Sequence, residues 1–366
     1  MRCDRLGRQA RYAGYAALWL LIVIVMTAAG NGAGNHRART SVDRITVDID
    51  SPEGALLTEQ IVREWVETEE YSPVGKSLDS IDLAMLEERI SSHKAVARAE
   101  VSLNCDGSVD IDIRQRRPLM RLMVDGYDLY VSDDGYVFDA PAASTAYVPV
   151  VTGDYRPLFT PRYSGYSSDI VRDSIAAIER RIDELEREKI PFYRALQQNA
   201  RSRKQLSAQR AHKGWFTSDE EYAVRREQVE LYKAQRREEL AAEAKRLQTD
   251  IDDLSRNQEA EGKRQKNLKK IEEDFSKLCN FVDIIRRDDF WSSEIVQIVA
   301  HGGGDKALEL EIIPRSGRYT ILLGRADDIE RKLADLDAFY RNALSNVGWD
   351  RYRSINVKYK GQIVCR

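Results

Sequence analysis

Four hydrophobic rhythms divide the chain. From Tyr12 to Asn35 there is no charged residue, and the centre of that run, Ala17 to Met26, is almost wholly apolar. A bilayer core about 30 Å thick takes roughly 20 apolar helical residues to cross, so the run predicts one membrane span once its Ala- and Gly-rich ends are counted. Ile45, Val47 and Ile49 then alternate with polar residues, the period of a half-buried strand. Leu57, Ile61, Val62, Trp65 and Val66 fall at helical spacing, as do Leu83, Leu86 and Ile90, with Ser80 or Asp82 placed to cap the second helix. Alternation returns at Ala99, Val101 and Leu103 and again at Val109, Ile111 and Ile113. Between those two runs lies Asp106-Gly107, a pair that tolerates the positive φ of a tight turn. The expected order is strand, helix, helix, strand, strand.

Residues 127–131 and 136–138 predict a hairpin about Asp134-Gly135, and 147–153 predict a strand that Pro149, lacking an N–H, would confine to an edge or a bulge. From 168 to 273 the pattern changes. Val171, Ile175, Ile178, Ile182 and Leu185 step by four and three, as do Leu240, Ala244, Leu247, Ile251 and Leu254, which is the seam of coiled-coil helices. Lys213-Gly214-Trp215-Phe216 breaks the helix and Ser218-Asp219-Glu220-Glu221 has the form of a capping box restarting it. The expectation is an antiparallel hairpin of two helices of about 40 residues, roughly 60 Å each. Pro191 should kink or interrupt the first arm, and Gly262 should divide the second from a further helix carrying Leu268, Ile271, Phe275, Leu278, Val282 and Ile285. Strands over 295–300, 308–312 and 319–324 follow. Ile329, Leu333, Leu336, Tyr340 and Leu344 then mark one face of an amphipathic helix, and terminal strands lie within 354–366.

Composition narrows the function classes. Among 366 residues, 57 Lys and Arg stand against 60 Asp and Glu, a net charge of -3, so no electrostatic bias toward nucleic acid exists. The bases of the helical segment are matched by acids, which argues against a nucleic-acid groove there as well. Cys3, Cys105, Cys279 and Cys365 are too few and scattered for a disulfide framework or a CxxC metal site, and a Cys279-Cys365 bridge is left open. Arg2, Arg5, Arg8 and Arg11 precede the apolar run, so the amino terminus is expected in the cytoplasm and the bulk outside it, against the opposing bias of Arg37 and Arg39. A cleaved signal peptide ending near Ala28-Ala29-Gly30 is the alternative to an uncleaved anchor. Gly30-Asn31-Gly32-Ala33-Gly34 reads as a flexible tether rather than a phosphate loop, because no βαβ unit surrounds it.

Candidate chemistry is sparse. His301-Gly302-Gly303-Gly304 imitates an oxyanion loop, but no G-x-S-x-G elbow accompanies it, and a turn between strands is the expectation. His36, His93 and His212 are isolated, and the acidic pairs Asp133-Asp134 and Asp288-Asp289 fall at turns. No catalytic residue, cofactor, metal or small-molecule substrate is expected. Binding remains, and its device would be an exposed strand at the end of the chain, whose unpaired N–H and C=O groups accept a strand from a partner.

The β-α-α-β-β order carries Leu57-Thr58, Gly75-Lys76-Ser77-Leu78, Ile81-Asp82-Leu83 and Val96 to Val101, and Arg114-Gln115-Arg116-Arg117-Pro118 follows it. Behind a single span, that order resembles the POTRA domain and β-domain junction of the FtsQ/DivIB bacterial cell-division proteins. Phe281 to Ile285, Asp289-Phe290-Trp291 and the run from Ser354 to Arg366 continue the resemblance, which is most specific in the carboxyl-terminal third and most similar to versions from the Bacteroides group. The resemblance implies an α+β chain. It would have a cytoplasmic tail at 1–11, a transmembrane helix at 12–35, a linker at 36–44 and a POTRA domain at 45–115. A mixed β-rich domain would be built from 116–167 and 276–366, interrupted by a coiled-coil insertion at 168–275 that departs from the family pattern. It further implies a non-catalytic scaffold of the inner membrane at the division septum, bulk in the periplasm, helping regulate septal peptidoglycan synthesis. FtsB/FtsL-like partners would be recruited at the terminal strands, and other division proteins through the POTRA domain. The expected partner-binding residues are Ile355, Val357, Lys358, Tyr359, Gln362, Ile363, Val364, Cys365 and Arg366. The alternative is a periplasmic membrane-fusion adaptor of an export system, which would need two lipoyl-like half-motifs around the hairpin; no matched pair flanks it.

Overall fold

The computed structural model of the protein describes residues 18–26, 40–50, 56–68, 72–104, 106–139, 146–304, 306–349 and 351–366. Of the predicted span, residues 18–26 are helical and exposed. The rest of it, the Gly30 to Gly34 tether, His36, Cys3 and Cys105 lie outside the described residues. Among the described residues no helix is long and apolar enough to cross a membrane. The chain forms two compact units, Met1–Val151 with Pro161–Ser164, and Thr152–Thr160 with Gly165–Arg366.

In the first unit, β1 (Arg44–Asp50) runs parallel to β3 (Ser108–Gln115), with Arg44 opposite Ser108 and Asp50 opposite Arg114. β2 (Val96–Leu103) lies antiparallel on the other side of β3, giving the order β1-β3-β2. Helix α1 (Glu59–Val66) starts where the Thr58 hydroxyl accepts a bond from the Ile61 N–H, and α2 (Leu83–Ser91) where the Asp82 carboxylate accepts one from the Met85 N–H. Each cap satisfies a donor that the first helical turn leaves unpaired. Val62, Val66, Leu86 and Ile90 then join Ile45, Ala99, Val109, Ile111 and Ile113 in one buried core. The expected order of elements is the observed one. Gly107, at φ 91°, holds the β2-β3 turn, and a Cβ there would come within 2.8 Å of the Ser41 carbonyl oxygen.

Arg116 ties this layer to the turn that carries Asp134 and Tyr136. Its guanidinium is nearly buried, donates to the Lys94 carbonyl at 3.1 Å, reaches Asp134 at 3.3 Å and stacks 3.4 Å from the Tyr136 ring centroid. β4 (Pro118–Leu122) pairs antiparallel with β5 (Leu129–Ser132), and β5 with β6 (Tyr136–Asp139). β7 (Val150–Gly153) meets β4 in parallel, Arg121 opposite Val150 and Leu122 opposite Val151. Pro149 precedes β7 and its carbonyl accepts from the Arg121 N–H. The missing proline donor therefore falls outside the ladder and does not force the strand to an edge, contrary to the expectation.

The second unit begins its regular structure with β8 (Gly165–Tyr166) and α3 (Ser167–Ala208) and continues with α4 (Asp219–Arg287) and α5 (Asp289–Glu294). Strands β9 (Ile295–Gly303), β10 (Lys306–Pro314) and β11 (Thr320–Arg325) follow. Helix α6 (Ile329–Phe339) runs on through a π-helical turn, Tyr340–Leu344, before β12 (Ser354–Asn356) and β13 (Val364–Cys365). The order β9-β10-β11-β12-β13 is antiparallel except where β11 meets β12. That pair must be parallel, because a helical crossover returns the chain to the same end of the sheet. Ile298, Ala300, Leu310, Ile312, Ile321 and Leu323 are buried, as are Leu333 and Leu336 of α6 and Leu278, Phe281, Val282 and Ile285 of α4.

The two helices pair as a hairpin, with one correction. Pro191 lies inside α3, which is not interrupted there, whereas α4, expected to divide at Gly262, runs unbroken through it for 69 residues. An interior glycine costs only about 1 kcal/mol against alanine. Burial of a seam that includes Val171, Ile178 and Leu185 on α3 and Leu240, Ile251 and Ile271 on α4 outweighs it. Ser218 caps α4 by accepting from the Glu221 N–H at 3.2 Å. Cys279 and Cys365 are free thiols. Burial pushes the Cys279 thiol up to about 12, far from the thiolate range. His301, Gly302 and Gly303 close β9 and Gly304 lies in the turn toward β10, with His301 Nδ1 2.6 Å from Asp154 Oδ1.

Candidate partner-binding edge

The last sixteen residues build the outer border of the second unit's sheet. Ile355 and Val357 alternate along β12 and its continuation, and both face inward, with exposures of 0% and 2%. The resemblance places them among the residues that touch a partner; their own period-two spacing marks them instead as the core-facing half of the strand. Buried side chains of this kind hold the border in place and cannot contact another chain without unfolding it.

After Val357 the chain reverses. Gly361 takes φ 76°, a left-handed conformation open to glycine at no steric cost, and β13 folds back beside β12. The Arg366 N–H donates to the Ser354 carbonyl at 3.0 Å, and the Ser354 N–H returns a bond to the Arg366 carbonyl at 3.1 Å. The Arg353 N–H adds a third, to the same Arg366 oxygen, at 2.6 Å. Ser354 and Arg366 are thus a hydrogen-bonded pair of an antiparallel ladder. Ile355 and Cys365, directly opposite, form the intervening non-bonded pair. The N–H and C=O of Cys365 consequently point away from β12, and those of Ile363 do the same by alternation. Among the described residues β13 is the outermost strand on this side.

Lys358 is committed elsewhere. Its stem crosses Gly324, where a Cβ would come within 2.7 Å of Lys358 Cγ, and its Nζ meets Glu309 Oε2 at 2.7 Å. The ammonium holds the Glu309 carboxyl below the usual carboxylate range. Gly324 stands at φ 73° opposite the bulge between Leu310 and Glu311, the local distortion that admits the lysine stem. Tyr359 is 54% exposed and Val364 37% exposed; Gln362 and Arg366 are exposed, and Ile363 and Cys365 half-buried.

The border therefore brings together Tyr359, Gln362, Ile363, Val364, Cys365 and Arg366 and withdraws Ile355, Val357 and Lys358. Sequence reasoning missed Arg353, Ser354 and Glu309, which fix the strand and occupy the lysine. The missed signal was charge: from Arg351 to Arg366 there are five Lys and Arg and no Asp or Glu, so this side is basic and local acids were not available to pair with Lys358. Behind the border, Tyr319, Tyr340 and Glu294 form a buried polar knot. The Tyr319 hydroxyl donates to that of Tyr340 at 2.8 Å, and burial raises the Tyr340 hydroxyl well above the ordinary phenol range.

Among the described residues no group of His, Cys, Asp and Glu is arranged to hold a metal ion. No curated protein matches the chain. Two family models do. One, described as FtsQ/DivIB, C-terminal related, matches residues 256–366, from within α4 to the last residue. The other, a POTRA-like domain, matches residues 42–114, the β1-α1-α2-β2-β3 unit. The two matches lie one after the other along the chain, and they support an FtsQ/DivIB family protein with a POTRA domain.

Proposed function

We propose that this protein is a non-catalytic, membrane-anchored scaffold of the cell-division complex. In this reading the apolar run at 12–35 anchors it once in the inner membrane, amino terminus in the cytoplasm and bulk in the periplasm at the septum. The POTRA domain (45–115) contacts other division proteins. The β domain, assembled from 116–167 and 276–366 around the 168–275 hairpin, recruits FtsB/FtsL-like partners, and through them the scaffold helps regulate septal peptidoglycan synthesis. Family membership supports the scaffold role.

The observation that carries the partner reading is the outward-facing backbone of Ile363 and Cys365 on the last strand. A strand added there would gain four ladder groups at about 0.5 to 1.5 kcal/mol net each, too little to offset association entropy unaided. Side chains must supply the remainder. Tyr359 offers an exposed aromatic anchor, and the acid-free basic tail selects a partner segment rich in Asp and Glu.

The test is recovery of FtsB/FtsL-like proteins from membranes on the intact chain and on one ending at Lys360, with thermal melts of both. Loss of the partners with the fold retained is expected, and undiminished recovery would remove the edge mechanism. Depletion distinguishes the export-adaptor alternative: filamentous undivided cells support the scaffold, whereas secretion or efflux defects without filaments overturn it.

A further inference from the structure

The hairpin ends in a feature that neither the scaffold role nor the strand edge uses. α3 has 42 residues, a rod about 63 Å long at 1.5 Å per residue. Its pairing with α4 is fixed by Glu179 with Gln265 at 3.0 Å, Glu186 with Gln258 at 3.3 Å and Asn199 with the Leu240 carbonyl at 3.0 Å. On that register Ala208, the last residue of α3, falls opposite the stretch just before Leu240. The first four turns of α4, from Asp219, therefore project past the end of their partner helix, followed alongside by the return segment 209–218.

At the apex stand Trp215 and Phe216, 97% and 100% exposed, and on the projecting helix Val224, Leu231 and Tyr232 are each more than half exposed. The collar around them is basic. From Arg201 to Lys233 there are eight Lys and Arg against five acids. Asp219 pairs with Lys213 and Glu230 with Lys233, and Asp219, Glu220 and Glu221 all occupy the first turn of α4, where the helix's partial positive charge offsets them. Among the described residues Arg210, Arg225 and Arg226 have no carboxylate within ion-pairing distance. A convex apex cannot enclose a small ligand, since ligand sites are concave. Its occupant must yield to the apex, and must accept an indole, a phenyl ring and unpaired guanidiniums together.

The geometry points to an anionic lipid surface as that occupant: Trp215 and Phe216 enter the headgroup boundary while Arg210, Arg225 and Arg226 face the lipid phosphates. Indole rings favour the membrane-water interface, and each Lys or Arg close to an anionic leaflet adds to the attraction. The inference is independent of the partner-binding edge, which lies at the other end of the same unit's sequence.

The test uses the full chain held in zwitterionic nanodiscs and mixed with vesicles carrying brominated acyl chains. One set contains phosphatidylglycerol and phosphatidylethanolamine, the other phosphatidylcholine. The emission of Trp215, isolated as the difference between the native chain and Trp215→Phe, should move to shorter wavelength and be quenched by the anionic vesicles. Flotation should show binding at least tenfold weaker to the phosphatidylcholine set. A similar loss is expected for Trp215→Ala/Phe216→Ala and for Arg210→Glu/Arg225→Glu/Arg226→Glu. These side chains are exposed, so unchanged thermal melts are expected to accompany the losses. Absence of quenching by either vesicle overturns the inference and leaves a concave protein partner as the occupant; equal binding to both vesicle sets overturns the assignment to anionic lipid.

Discussion

Replacing Cys365 by proline separates the outward from the inward half of the last strand. The Cys365 N–H faces away from β12, because Ser354 and Arg366 form the bonded pair and Ile355 and Cys365 the non-bonded one. Proline at this position deletes an outward donor and leaves the β12-β13 bonds intact, and an edge strand is where a sheet tolerates it. A partner strand paired there would lose one hydrogen bond and keep a carbonyl with no donor, a cost of about 1 to 3 kcal/mol. At 1.4 kcal/mol per factor of ten, that is roughly 5- to 150-fold in Kd. Titration of an FtsB-like periplasmic segment against the native chain and Cys365→Pro would read it. Val364→Pro is the control with the opposite sign of selectivity, since the Val364 N–H faces Asn356; it should lower the melting temperature through the loss of an inward bond. Affinity unchanged in a well-folded Cys365→Pro chain would refute the argument that this backbone receives a partner.

Three further outcomes rest on particular contacts. Gly153 stands at φ 110° with the Ala300 carbonyl where a Cβ would sit, so Gly153→Ala should cost at least about 1 to 3 kcal/mol in urea unfolding. Leu240, buried at the α3-α4 seam, should cost about 2 to 3 kcal/mol as Leu240→Ala, the low end for a core leucine because a two-helix seam can close partly over the gap; far-UV circular dichroism of the melt would report it. Lys277 lies 2.8 Å from Asp327 and 2.9 Å from Glu273, and its ammonium holds the Asp327 carboxyl below the ordinary range. A depressed carboxylate contributes stability above its unfolded pKa, near 4, and the contribution is lost as pH falls through the folded value. Lys277→Met should therefore be less stable at pH 7 by about 0.5 to 1 kcal/mol, discounted for exposure, with the gap closing toward pH 3; a gap that persists in acid would assign the effect to packing.

The periodicities of the chain determined its elements without help from the fold. Alternation at Ile45 to Ile49 and at Ala99 to Ile113, the caps Thr58, Asp82 and Ser218, and the four-three seam of the hairpin are all written within a few residues of where they act. Local steric and hydrogen-bonding preferences are enough to express them. The tertiary structure decided the features that depend on partners distant in sequence. β1 lies parallel to β3 across 64 positions, as the pairing of Arg44 with Ser108 sets. α4 stays whole through Gly262 because α3 supplies its seam. Lys358 is drawn to Glu309, 49 residues away.

The border at the end of the chain is the clearest division between the two. Sequence placed strand-forming residues there, but not which of them would turn inward or that β13 would fold back over β12. Those outcomes are set by the strand beside them: pairing β12 with β11 buries Ile355 and Val357, and the reversal at Gly361 then satisfies the ladder groups of Ser354 and Asn356 with the chain's own tail. A strand's period is a property of its own backbone, while its face and its free edge are set by the neighbours that exclude water from the other side.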